Sequence, residues 1–162
     1  MNHQQPIQDL RAYLAGTWNV ERTLLDRATG TRGTFTGVVR YTEEPDGDGL
    51  HYREDGTMHW PTHTGPAFRE YLLKPGPEPD SMDVFFPDGR PFHVMSFATQ
   101  ANQDKHWCDP DDYYVNYTWE GPDAFSFTWD VRGPAKDLLL ESHLVRMNTL
   151  SESTVGGKRE RY

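Results

Sequence analysis

Turn-forming residues break this chain at short, regular intervals, and between the breaks apolar side chains recur at every second position. The breaks fall at 28–30, 45–49, 61–65, 75–77, 87–89, 109–111, 121–123 and 133–134, each holding at least one Gly or Pro. Eight such breaks imply about nine strands. Within the segments the repeating faces are Trp18, Val20, Arg22 and Leu24; Phe35, Gly37, Val39 and Tyr41; Leu50, Tyr52, Glu54 and Met58; Ala67, Arg69, Tyr71 and Leu73; Val84 and Phe86; His93, Met95 and Phe97; Tyr113, Val115, Tyr117 and Trp119; Phe125, Phe127, Trp129 and Val131; and Leu138, Leu140, Ser142, Leu144 and Arg146. A period of two means half-buried strands, with these residues on the inner face.

The pattern is helical only at the start, where residues 6–14 read as a short amphipathic helix ended by Gly16, with a strand beginning at Trp18. Without a second helix of useful length there is no βαβ unit, and hairpin-length links favour sequential neighbours over Greek-key crossings. The expected fold is therefore all-β: a single antiparallel up-and-down barrel of about eight to ten strands with a short N-terminal helix as a lid on one end. Residues 1–147 form the barrel domain and 148–162, rich in Ser, Thr and Gly before a charged end, a loose C-terminal tail. The polar stretch 99–112 reads as a loop at one rim.

Such a barrel needs a core, and at 35% hydrophobic but 13% aromatic residues it must be built more from Trp, Tyr and Phe than from Leu and Ile. With 25 acidic against 16 basic residues the formal charge is −9, which disfavours nucleic acid and anionic membrane as partners. No segment approaches the roughly 20 apolar residues of a membrane span, and the N-terminal stretch lacks a signal-peptide run, so a cytoplasmic location is expected. The single Cys108 excludes an intramolecular disulfide and a multi-cysteine zinc site, and no metal site or cofactor is expected.

Charge on the inner face is the informative anomaly. Arg22, Glu54, Arg69 and Arg146 share their faces with apolar neighbours, and buried charges are costly unless paired. Two readings stay open. In one, Arg22 or Arg69 pairs with Glu54 and Arg146 stacks on Trp18. In the other, a surplus arginine holds the acidic group of a ligand, as a guanidinium fork suits. Tyr41, Tyr52, Tyr71, Tyr113 and Tyr117 share the inner phase, and their hydroxyls require polar partners or water inside. His93 and His106 match no HExxH or zinc-finger spacing but could supply acid–base nitrogens. Cys108 with His106 as a nucleophile pair has no spacing that places the base.

Several of these stretches, Leu14-Ala15-Gly16-Thr17-Trp18, Gly33-Thr34-Phe35-Thr36-Gly37, and residues 49–54, 86–93, 106–113 and 129–137, resemble a family of small bacterial and protist proteins known only as a domain of unknown function. The likeness covers residues 10–146. More distantly, Gly16-Thr17-Trp18 with Arg146 in the last strand is similar to the calycins, the lipocalin and fatty-acid-binding barrels, which implies an arginine packed over the tryptophan at the closed end; some calycin-like barrels bind haem. The expected function is binding of a small, partly apolar, acidic molecule by Arg22, Glu54, Arg69, Tyr52, Tyr71, His93 and Tyr117. The alternative is an isomerase, cyclase or hydrolase with His93, His106 and Glu54 as candidate acid–base groups.

Overall fold

A computed structural model describes residues 7–147; the C-terminal tail expected at 148–162 lies outside the described residues. The chain forms one helix, α1 (Leu10–Leu14), then ten strands: β1 (Gly16–Asp26), β2 (Thr31–Glu43), β3 (Leu50–Trp60), β4 (His63–Pro75), β5 (Ser81–Phe85), β6 (Pro91–Ser96), β7 (Gln103–Cys108), β8 (Asp111–Trp119), β9 (Ala124–Arg132) and β10 (Asp137–Arg146). All pairs are antiparallel and the sheet order is β6-β5-β4-β3-β2-β1-β10-β9-β8-β7. The first and last strands are thus hydrogen-bonded neighbours. The sheet curls into a nearly closed barrel whose one seam lies between β6 and β7, where the Val94 N–H donates to the Asp104 carboxylate at 2.6 Å.

Two local expectations are corrected. The helix begins only at Leu10, and residues 7–9 before it are not helical, because Asp9 caps it: its backbone is extended and its carboxylate accepts the Ala12 N–H. The stretch 99–112 contains β7, paired residue by residue with β8 from Gln103 to Cys108. This is a seam strand with one laddered side and largely exposed side chains, so alternation is faint in its sequence.

Gly16 turns the chain from helix to strand at a φ of +127°, where a side chain would be strained. Gly37 and Gly56 face each other across β2 and β3, and a Cβ on either would run into the opposite backbone. That close approach requires glycine at both. Among the described residues no helix is long and apolar enough to cross a membrane.

Candidate functional site

One end of the barrel is shut. Leu10 and Leu14 of α1 are fully buried, and Trp18 beneath them donates its ring N–H to the Leu14 carbonyl at 2.9 Å. Phe125 meets the Trp18 ring edge-on at 4.9 Å. The register places Arg146 opposite Trp18, with its guanidinium 4.3 Å above the indole and bonded to the Tyr13 and Pro122 carbonyls and to Asp123. Arg146 is therefore occupied in closing this end.

At mid-height the inner charges meet. Arg22 donates through Nη1 and Nη2 to both Glu54 oxygens at 2.8 and 2.7 Å and through Nε to Ser142 Oγ at 2.7 Å. Tyr52 adds its hydroxyl to Glu54 Oε1 at 2.6 Å. Burial alone would raise the Glu54 carboxyl, but the Arg22 fork, aided by Arg69, brings it below its ordinary range. Glu54 is an ionised acceptor whose oxygens are already used. Arg69, opposite Glu54 in the β3–β4 register, reaches Oε2 only through Nε at 3.4 Å. Its side chain is 39% exposed where Arg22 is 2%, and Glu54 is its sole ion-pair partner among the described residues. Among the described residues Arg69 is the inner-face cation least committed to a partner.

Around these charges Tyr41, Tyr52 and Tyr71 stand in one cross-strand row, ring centroids 5.1 and 5.5 Å apart. His93 lies against Tyr117, its Nε2 and the tyrosine hydroxyl 2.8 Å apart. Its Nδ1 is buried with no partner among the described residues. Burial, with a smaller push from His106, lowers the His93 pKa to about 3, so the ring is neutral. The cavity enclosed by Arg22, Arg69, the tyrosines and His93 measures only about 30 Å³. That is room for one or two waters, not for an organic ligand.

The space for a ligand lies higher, at the end away from α1. There Phe86, Phe92, His106, Cys108, Tyr113, Trp129, Leu138 and Leu140 line a bowl of about 490 Å³, with Arg69 and Tyr71 at its depth. This volume falls within the ordinary range of small-molecule sites. Arg69, Tyr71, Phe92 and Trp129 border both the bowl and the small inner cavity. Of the residues expected at a site, Arg69, Tyr71 and His106 meet in the bowl, whereas Arg22, Glu54, Tyr52, His93 and Tyr117 lie deeper.

Phe92 was not on the inner phase of the sequence pattern. A register shift opposite it, between Val84 and Phe85, breaks the alternation, so the adjacent Phe92 and His93 both pack inward. Only the Pro91 before it hints at an irregular strand start. Among the described residues no cluster of three His, Cys, Asp or Glu side chains could hold a metal ion.

The chain belongs to the Family of unknown function (DUF6314), whose pattern it matches over residues 14–146. No curated protein matches it. Among solved structures it is similar to the S-type phycobiliprotein lyase CPES from Guillardia theta, with a TM-score of 0.61 at 10% identity over 86% of this chain and 91% of that one. It is also similar to EF1p2_mFAP2b, solved bound to DFHBI, with a TM-score of 0.50 at 16% identity over 86% of this chain and 98% of the other. These likenesses establish a shared barrel fold.

Proposed function

We propose that this protein binds a small, partly apolar, acidic molecule in the bowl at the open end of the barrel, with Arg69 taking the acidic group. The observation that carries this reading is the state of Arg69. It faces inward at the depth of a 490 Å³ aromatic bowl, and its one acidic partner among the described residues is already forked by Arg22. A guanidinium in that position can take a carboxylate through a charge-assisted, two-pronged hydrogen bond. In this reading Arg22 and Glu54 do not touch the ligand. They anchor the depth of the site, where Glu54 tethers Arg69 through its Nε at 3.4 Å. The EF1p2_mFAP2b barrel, bound to DFHBI, supports the reading as a precedent for a molecule held by this fold.

The enzymatic alternative has weaker support. General acid–base chemistry needs an acid and a base converging on one spot. Glu54 is ionised and saturated, and Phe92 makes edge contacts with both His93 and His106 at 4.6 and 5.1 Å. A thermal-shift screen of matched carboxylic acids, amides and alcohols tests the proposal. Acids should raise the wild-type melting temperature more than their neutral analogues, and Arg69→Met should abolish that preference. Equal stabilisation by acids and amides in the wild type would refute it.

A further inference from the structure

The floor of the bowl is a stack of rings. Phe92 lies parallel to Trp129, centroids 5.1 Å apart at 3°, and nearly parallel to Phe86, at 4.5 Å and 24°. Phe92 is the ring that joins the other two. His106 meets it edge-on at 5.1 Å and 85°. Offset stacking flanked by an edge contact is the environment in which a planar π-system binds best. Here it is filled by the chain's own side chain, standing between the bowl and the cavity that holds the Arg22–Glu54 pair.

Phe92 is also weakly tied. Among the described residues its strand β6 has a ladder only to β5, interrupted at the Val84/Phe85 shift, and its other edge is the seam to β7. Few backbone hydrogen bonds oppose a movement of residues 91–92. Behind it, His93 meets the Phe92 ring edge-on at 4.6 Å.

We propose that Phe92 occupies the place of the ligand's own ring: the molecule taken by this site is a planar aromatic carboxylic acid, whose ring displaces Phe92 from Trp129 and Phe86 while its carboxylate meets Arg69. This rests on the reading that Arg69 binds an acid in the bowl, and it adds the class of that acid. An aliphatic acid of equal size would fill the bowl but gain nothing from the stack.

The test uses the full-length chain with 2-naphthoate as aromatic probe and decanoate as aliphatic probe. The ring-to-ring nuclear Overhauser contact between Phe92 and Trp129 is followed by NMR as each is added to saturation. It should disappear with 2-naphthoate and persist with decanoate. Phe92→Leu, which vacates the stack with little loss of apolar volume, should bind 2-naphthoate about tenfold more tightly than wild type and decanoate within about threefold. If 2-naphthoate binds through Arg69 while the contact persists, or if decanoate also displaces Phe92, the present inference fails and the acid-binding reading stands. If 2-naphthoate binds Phe92→Leu but not the wild type, Phe92 does not yield and the inference fails. If neither acid binds wild type or variant, both readings fail.

Discussion

Replacing Glu54 by Gln should destabilise the barrel by about 3–5 kcal/mol at pH 7, the range for stranding one member of a buried ion pair. The perturbation keeps the shape of the side chain and removes its charge. In the wild type the carboxylate accepts two bonds from Arg22, at 2.7 and 2.8 Å, and one from Tyr52 at 2.6 Å. The amide offers one acceptor oxygen and turns an N–H₂ toward a guanidinium that is 2% exposed. A charge-assisted bond contributes about 1.5–3 kcal/mol. Losing one such bond and leaving Arg22 without its counterion reaches the quoted range, and the bond from Arg22 to Ser142 does nothing to neutralise it. The assay is urea denaturation followed by tryptophan fluorescence, extrapolated to zero denaturant. The pH dependence adds a signature. Glu54 has its pKa lowered in the fold, so its contribution is fully present above the ordinary glutamate range and is lost as pH falls toward the folded value. The gap between wild type and Glu54→Gln should be flat above about pH 5 and shrink, by at most roughly 1.4 kcal/mol per unit, as pH falls below about 4. The double replacement Arg22→Met with Glu54→Leu should recover most of the loss, because an apolar pair of similar volume strands no charge. A gap under about 1 kcal/mol at pH 7, or one unchanged at pH 3, would refute the ion-pair reasoning.

Trp18→Ala should cost about 3–5 kcal/mol, since it empties a fully buried ring position and removes the surface on which Arg146 rests; a wild-type denaturation midpoint would contradict its place as the closing residue. His93 should stay neutral, its imidazole signals unchanged between pH 8 and 5 by NMR, because burial lowers its pKa to about 3. Its unfolded form gains a proton below about pH 6.5, so stability should fall on acidification by up to roughly 1.4 kcal/mol per unit, and His93→Gln should flatten that slope. The single Cys108 lines the bowl and is exposed, so its alkylation by iodoacetamide reports occupancy; an acid at about ten times its Kd should slow the reaction roughly tenfold, and an unaltered rate would mean that the bowl was empty.

Much of this architecture is legible in the chain because a half-buried strand must alternate. Arg22, Glu54, Arg69 and Arg146 stood out as charges on apolar faces, and their phase is the one the barrel shows. Their pairing was not legible, because both Arg22 and Arg69 are in phase with Glu54. Choosing between them requires the side-chain geometry, in which Arg22 takes both oxygens and Arg69 is left at the edge. Phe92 was hidden for a related reason: a register shift lets two consecutive residues face inward, and a period of two admits only one. Strand β7 was hidden by its own exposure. The location of the ligand space also escaped the sequence. The tyrosine-rich interior implied a wet cavity, but the rings of Tyr41, Tyr52, Tyr71 and Tyr117 fill it to about 30 Å³, and the larger room is made at the mouth by residues from six strands and the β5–β6 hairpin.

The central claim, that Arg69 recognises an acid at the mouth of the barrel, is tested most directly by calorimetric titration of 2-naphthoate and 2-naphthamide into wild type and Arg69→Met. The account predicts that wild type binds the acid at least about tenfold more tightly than the amide and that the variant binds the two alike, a coupling of about 1.4 kcal/mol or more. Equal affinities in the wild type, or a preference for the acid that survives in Arg69→Met, would contradict it.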